Sequence, residues 1–181
     1  MNDTTEERDI ATCGKLYFGK YRGTVINNID PMQMGRIQAL VPDVLGDLPS
    51  SWAMPCLSVG GTQGGMFTVP TMRSGVWIEF EQGDPDYPIW TGCFYGSAAE
   101  TPAMAKLAPP GVPAITFQTP LQNGITINDV QGPTGGILIK TAGGAFISLS
   151  DVGITISSGQ GAMINLQVNK VDVNGGALTI I

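Results

Sequence analysis

A chain of 181 residues holds one or two small domains, and 25 glycines and 13 prolines against 13% charged residues suit short strands and tight turns. The net charge of −6 argues against nucleic acid, whose binding rests on Lys and Arg neutralising phosphates. The absence of histidine removes Ser-His-Asp and Cys-His catalysis and the commonest transition-metal ligand.

Residues 1–15 open the chain as a polar, acidic segment with no pattern that would bury it, read as flexible, and without the apolar run of a signal peptide. No stretch reaches the length of a membrane span. From Leu16 the pattern becomes β. "LYFGKYRGTVINNI" predicts a long strand, bent at Gly19 or Gly23, and Asn27 to Pro31 reads as a turn. "GRIQALVPDV" follows with Ile37, Ala39 and Val41 on one face, then a third segment from Ser51 to Leu57 and a glycine-rich loop from Gly60 to Gly65.

The clearest hairpin is "SGVWIEFEQGDPDYPIWTGCFYG". Val76, Ile78 and Phe80 alternate with Trp77, Glu79 and Glu81, the turn is Gly83-Asp84-Pro85-Asp86, and the return strand runs from Tyr87 to Tyr95. Five or six curved strands without helices suit a small closed barrel of the OB type over residues 16–97, with an SH3-like barrel as the alternative. Residues 98–113 form a proline-stiffened linker, with room for a helical turn or two between Ala98 and Leu107.

Residues 114–181 are a ladder of short alternating segments broken by glycine. Ile137 and Ile139, Ile147 and Leu149, Ile154 and Ile156 each place two aliphatics two residues apart; Ile164, Leu166 and Val168 continue the pattern, then Val171 and Val173, then Leu178 and Ile180. Each segment therefore has one apolar and one wet face. No helix is available to cover the apolar face, and an open sheet would expose it together with raw edges. Several identical chains packed around a common axis, as a β-helix or β-prism, solve both problems. The other arrangement is a single-chain solenoid or half of a sandwich.

Candidate sites dissolve on inspection. Asp84 and Asp86 with Glu79 and Glu81 suggest an acid pair or a calcium loop, but Gly-Asp-Pro-Asp is explained by turn chemistry. The loop Gly60–Gly65 lacks the Gly-Lys-Ser/Thr ending of a phosphate loop. Cys13, Cys56 and Cys93 have no metal-ligand spacing, and Cys56 and Cys93 are expected to be small buried side chains. No catalytic residue, metal site or cofactor is assigned.

The stretch from Met66 to Ser97 resembles the OB domain of contractile-tail spike proteins, the phage baseplate assembly protein V family and the VgrG spikes of type VI secretion. The resemblance rests on Pro70, Arg73, Gly75, the Val76–Phe80 strand, Gly83-Asp84-Pro85-Asp86, Pro88, Gly92, Tyr95 and Gly96, and upstream on Gly35-Arg36 before a second strand. It implies an all-β protein: an N-terminal OB-fold barrel followed by a C-terminal intertwined trimeric β-helix. The implied function is a homotrimeric central spike of a baseplate, not an enzyme, with no stable membrane insertion, assembled in the bacterial cytoplasm and carried in a phage or injection-system particle. A separate hub protein is expected above the OB domains. The trimer core is expected from Ile137, Ile139, Ile147, Leu149, Ile154, Ile156, Ile164, Leu166, Val168, Val171 and Val173, so that Leu166→Asp blocks a soluble trimer while Asn165→Asp is tolerated. Leu178, Ile180 and Ile181 would dock a PAAR-like tip protein. The competing reading is an OB module for single-stranded nucleic acid or saccharide with a β-rich oligomerisation tail, for which Lys15, Lys20, Arg22 and Arg36 are the only concentration of positive charge. A cell-wall hydrolase is a third, without a catalytic domain to support it.

Overall fold

The structure is a computed structural model that describes residues 14–180, with side chains as far as Leu178. The mobility expected of residues 1–15 falls almost wholly outside the described residues. The chain divides into two compact units between Ala98 and Ala99.

The first unit carries β1 (Tyr21–Asn27), β2 (Gln38–Leu40), a helical turn α1 (Pro42–Leu45), β3 (Met54–Pro55), a small hairpin of β4 (Gly60–Gly61) and β5 (Gly64–Gly65), β6 (Gly75–Phe80) and β7 (Pro88–Phe94). Five of these strands form one sheet in the order β2-β1-β6-β7-β3, antiparallel except for β3 with β7. Its two ends are drawn together where Ile37 and Ala53 exchange both backbone hydrogen bonds, at 3.2 and 2.7 Å. That contact turns an open sheet into a barrel, which removes the edges a lone sheet would expose.

Alternation decides what lies inside. Val76, Ile78 and Phe80 are buried while Trp77 and Glu79 between them are only half-buried. With Val25, Ile37, Ala39, Val41, Ala53 and Trp90 they make a continuous core. A bulge at Thr91 lets Trp77 pair with Gly92 and Ile78 with Trp90, which tightens the local twist of the hairpin. The Trp90 ring is buried and its Nε1 donates to the carbonyl of Gly35 at 3.0 Å, so its one polar atom is satisfied.

Three local expectations are corrected. The first strand begins at Tyr21, after a bend at Gly19, and residues 16–18 instead pack across the hairpin turn, where Tyr17 N–H donates to the Gly83 carbonyl at 2.8 Å. The segment Ser51–Leu57 supplies only the two-residue strand β3, with the bridge from Ala53 to Ile37 before it and a bond from the Cys56 N–H to the Trp90 carbonyl after it. Cys56 and Cys93 are exposed, not buried: Cys56 follows the end of β3, and Cys93 lies in the last two residues of β7, beyond the buried Trp90.

The second unit begins with a 3-10 segment, Ala103–Leu107, and continues as eight strands: β8 (Ala114–Gln118), β9 (Gly124–Asn128), β10 (Gly136–Lys140), β11 (Phe146–Ser150), β12 (Gly153–Ser157), β13 (Met163–Gln167), β14 (Lys170–Val173) and β15 (Leu178–Ile180). They form one antiparallel meander in which every strand pairs with its neighbours in sequence. The connections are short, from two residues between β11 and β12 and between β13 and β14 to seven between β9 and β10. Glycine serves the closest approaches: a Cβ on Gly153, whose φ is +141°, would stand 2.1 Å from the Leu166 carbonyl oxygen on the next strand. Each strand thus finds its pairing partners within one chain, with only the outer edges of β8 and β15 left open, and the faces of the sheet remain for association.

Candidate trimerisation surface

Register turns the ladder into a surface. Reading across the sheet, Ile115, Ile127, Ile137, Leu149, Ile154, Leu166, Val171 and Ile180 stand directly opposite one another in turn. Two residues along, Phe117, Ile125, Ile139, Ile147, Ile156, Ile164, Val173 and Leu178 form a second such row. Both rows lie on one face, because paired residues share a face and the side-chain period is two. The row between them, on the other face, reads Thr116, Thr126, Leu138, Ser148, Thr155, Asn165, Asp172 and Thr179. There Thr116 and Thr126 hydroxyls lie 3.0 Å apart in a hydrogen bond, and the Thr155 hydroxyl donates to Asn165 Oδ1 at 2.9 Å.

Exposure is inverted relative to polarity. The aliphatic face is open, with Ile154 at 36% and Phe117 at 61% of full exposure. On the polar face Thr126 and Asn128 are buried, and the 3-10 segment packs against β8 and β9 with its Met104 buried and its backbone N–H donating to Gln118 at 2.8 Å. Two aliphatic rows spanning eight strands and left open to water form a contiguous patch of the kind that marks an association surface.

Ten of the eleven residues expected in the trimer core fall in these rows. Val168 does not. The strand ends at Gln167, and Val168 stands at the tip of the β13–β14 hairpin with φ +51° and its side chain fully exposed. A two-residue hairpin turn demands positive φ there, and that demand overrides the alternation. The rows also extend beyond the expected trimer core, to Ile125 and Ile127, whose alternation the ladder already shows in sequence, and to Ile115 and Phe117, which the alternation in "AITF" finds. Of the three residues expected at the tip, Leu178 ends one row and is exposed, Ile180 stands at the end of the other by register, and the Ile180 side chain and all of Ile181 lie outside the described residues.

The barrel unit offers no competing site. The Asp84 carboxylate accepts the Asp86 N–H at 3.0 Å, so the Gly-Asp-Pro-Asp turn is self-bonded. Gly83 is needed there because its φ is +84° and a Cβ would meet Leu16 and the Phe18 ring at 3.1 Å. Each of the four cations that a nucleic-acid groove would require has a partner. Lys20 pairs with Glu79 at 2.6 Å and Arg36 with Asp30 at 2.7 Å. Arg22 lies over both the Trp77 and Phe94 rings, at 5.2 and 4.8 Å, and Lys15 over Tyr17 at 5.0 Å. Among the described residues no group of acidic or sulfur side chains is arranged to hold a metal, and no helix is long and apolar enough to cross a membrane.

Residues 114–179, the whole meander up to its last strand, match the phage baseplate V C-terminal trimerisation domain. Residues 21–95, the barrel, match the type VI secretion system/phage-baseplate injector OB domain. The chain belongs to the phage baseplate V family. The baseplate V chain is therefore an all-β protein with an OB domain followed by a trimerisation domain, and it serves as a structural component of a baseplate injector. Among curated proteins none matches it.

Proposed function

We propose that this chain is the central spike of a contractile tail or injection-system baseplate, with three copies packed through the aliphatic rows of their meander sheets as the three sides of a β-prism. The observation that carries this reading is the pair of unbroken aliphatic rows, open in one chain and matched to a trimerisation domain. Packing them against one another removes apolar surface from water at about 25 cal/mol per Å², and the opposite, mostly polar face, covered at β8 and β9 by the 3-10 segment, is turned away from the axis. Hydrogen bonds between strands then run along the prism axis, which stiffens it against axial load.

In this reading the OB domains meet a separate hub protein, and the C-terminal end of the prism meets a conical tip protein of the PAAR type. Three open β15 edges and the row end at Leu178 offer that tip backbone hydrogen-bonding groups beside an apolar side chain. The particle is assembled in the bacterial cytoplasm, and contraction drives the spike into a target envelope. The chain performs this role without chemistry of its own.

The test is solution mass by light scattering, for the full chain and for a chain lacking residues 114–181. The expected result is three times the 19.0 kDa monomer for the full chain, lost on truncation. A monodisperse full-length monomer would overturn the spike reading.

A further inference from the structure

The face of the meander opposite the aliphatic rows is mostly polar, yet Leu138 and Phe146 stand on it as neighbours. Leu138 pairs with Ser148 and Lys140 with Phe146, so the four side chains form a square across β10 and β11, with the two apolar ones on a diagonal. The 3-10 segment packs on β8 and β9 and ends at Leu107, short of this square. There the surface sinks into a cleft of about 600 Å³ that Leu107 borders. It runs the length of β10, from Thr134 and Gly135 before the strand to Thr141 and Ala142 after it. Both the volume and the apolar floor with a few polar groups are those of a small-molecule site.

The cleft is built in advance. Ala142 N–H donates to Asn123 Oδ1 at 3.0 Å, which ties the β10–β11 turn to the β8–β9 turn that carries Gln122. Thr141 N–H donates to the Ala145 carbonyl at 2.9 Å. Gly144 abuts the following turn so closely that a Cβ on Gly159 would stand 2.5 Å from the Gly144 carbonyl carbon. A site held in this way loses little entropy on binding.

Its polar groups are unspent. Lys140 is the one charged side chain in the lining, half-buried beside Phe146, and among the described residues no carboxylate pairs with it. The Gln122 amide and the Ser148 hydroxyl at the cleft also make no hydrogen bond to the described residues. In a chain of net charge −6, the cleft thus offers a lone cation set against apolar side chains. A carboxylate completes such an ammonium with charge-assisted hydrogen bonds. A polyphosphate would set several negative charges against one cation in an acidic protein, which favours a ligand of single charge.

We propose that this cleft binds a small organic acid, an aromatic or branched apolar body bearing one carboxylate. The body lies on Leu107, Leu138 and Phe146, and the carboxylate meets Lys140. Every lining residue comes from one chain, so the site is complete in a protomer. Three copies packed through their aliphatic rows would carry three such sites, all turned outward.

The test titrates the full-length protein with phenylbutyrate, indolepropionate and the neutral phenylbutanamide by calorimetry, with its solution mass recorded alongside. The expected result is saturable binding of both acids at one per chain, with the amide about tenfold weaker. Lys140→Gln should weaken the acids by about the same factor and leave the amide unchanged. Ser148→Asp should also weaken the acids, by placing a like charge at the cleft. Lys170→Gln, which removes a cation from β14, should change nothing. No saturable binding of either acid, equal affinity for acid and amide, or equal losses in Lys140→Gln and Lys170→Gln overturns the proposal. Binding with this pattern by protein whose mass is below the trimer would overturn the trimer reading and leave the site standing.

Discussion

The Arg36 guanidinium grips a single carboxylate oxygen of Asp30, with Nε at 3.1 Å and Nη2 at 2.7 Å from Oδ1. The same carboxylate accepts backbone N–H groups from Met32, Met34 and Arg36, and the guanidinium lies 5.4 Å over the Trp52 ring. A five-fold acceptor beside a cation is held far below the usual carboxylate range, first by the Arg36 hydrogen bonds and then by the backbone donors. Its contribution to stability is therefore present above the unfolded value of about 3.9 and is lost as pH falls through the depressed folded value. Thermal unfolding of the barrel followed from pH 7 to pH 2 should show Asp30→Asn several degrees less stable at neutral pH. The gap to the parent should close only at the acid end. A constant gap at all pH values would show that the loop is held by something other than the charged carboxylate.

The aliphatic rows make a sided prediction. Leu166→Asp puts a carboxylate into the face that three copies would bury, where an unpaired charge costs several kcal/mol per protomer, and should leave no soluble trimer. The control belongs on the polar face, but Asn165→Asp, natural from the sequence alone, sets a carboxylate directly opposite Asp172. Like charges facing across a pair are destabilising. Ser148→Asp, between Leu138 and Thr155, avoids that conflict and should keep the trimer. Equal trimer yields from Leu166→Asp and Ser148→Asp would reverse the assignment of the faces.

At the β13–β14 tip, Val168 has a positive φ that a β-branched side chain adopts only at a cost of about 1–2 kcal/mol. Asn tolerates that conformation. Val168→Asn should therefore raise the thermal midpoint of the trimer by a few degrees with its mass unchanged. A lower midpoint would mean that a neighbouring copy covers the valine.

Gly153 should be intolerant for the opposite reason. Alanine there would combine a strained φ, costing about 1–3 kcal/mol, with overlap on the Leu166 carbonyl oxygen. Gly153→Ala should lower the trimer's unfolding temperature sharply, whereas Gly161→Ala, with open space around it though also at positive φ, should cost less. Differential scanning calorimetry of the two variants separates the clash from the strain.

Much of this was legible in the chain. Period-two alternation placed Ile37, Ala39, Val41, Val76, Ile78 and Phe80 inside a barrel, and it found most of both aliphatic rows, because half-buried antiparallel strands show their faces in sequence. What it could not fix was where alternation yields to backbone demand. Val168 obeys the pattern but sits where a turn must have positive φ, and the bulge at Thr91 is invisible until the partner strand is known. The short strand β3 and the packing of residues 16–18 on Gly83 depend on contacts far away in sequence, as does the exposure of Cys56 and Cys93. Pairing of strands with neighbours in the same chain, which leaves the faces of the sheet for association, also had to be seen.

The sequential order of the meander sets the length of this device in whole units. Eight strands at a spacing of about 4.8 Å give a sheet of roughly 34 Å between its outer strands. Inserting one hairpin would add two strands, about 10 Å, and keep both aliphatic rows on the same side. Inserting a single strand would send the C-terminus out of the opposite flank of the sheet. Length can therefore be changed by duplication or loss of a hairpin of about 20 residues, each step preserving the end geometry, so that spikes of different reach could present the same terminus to the same partner.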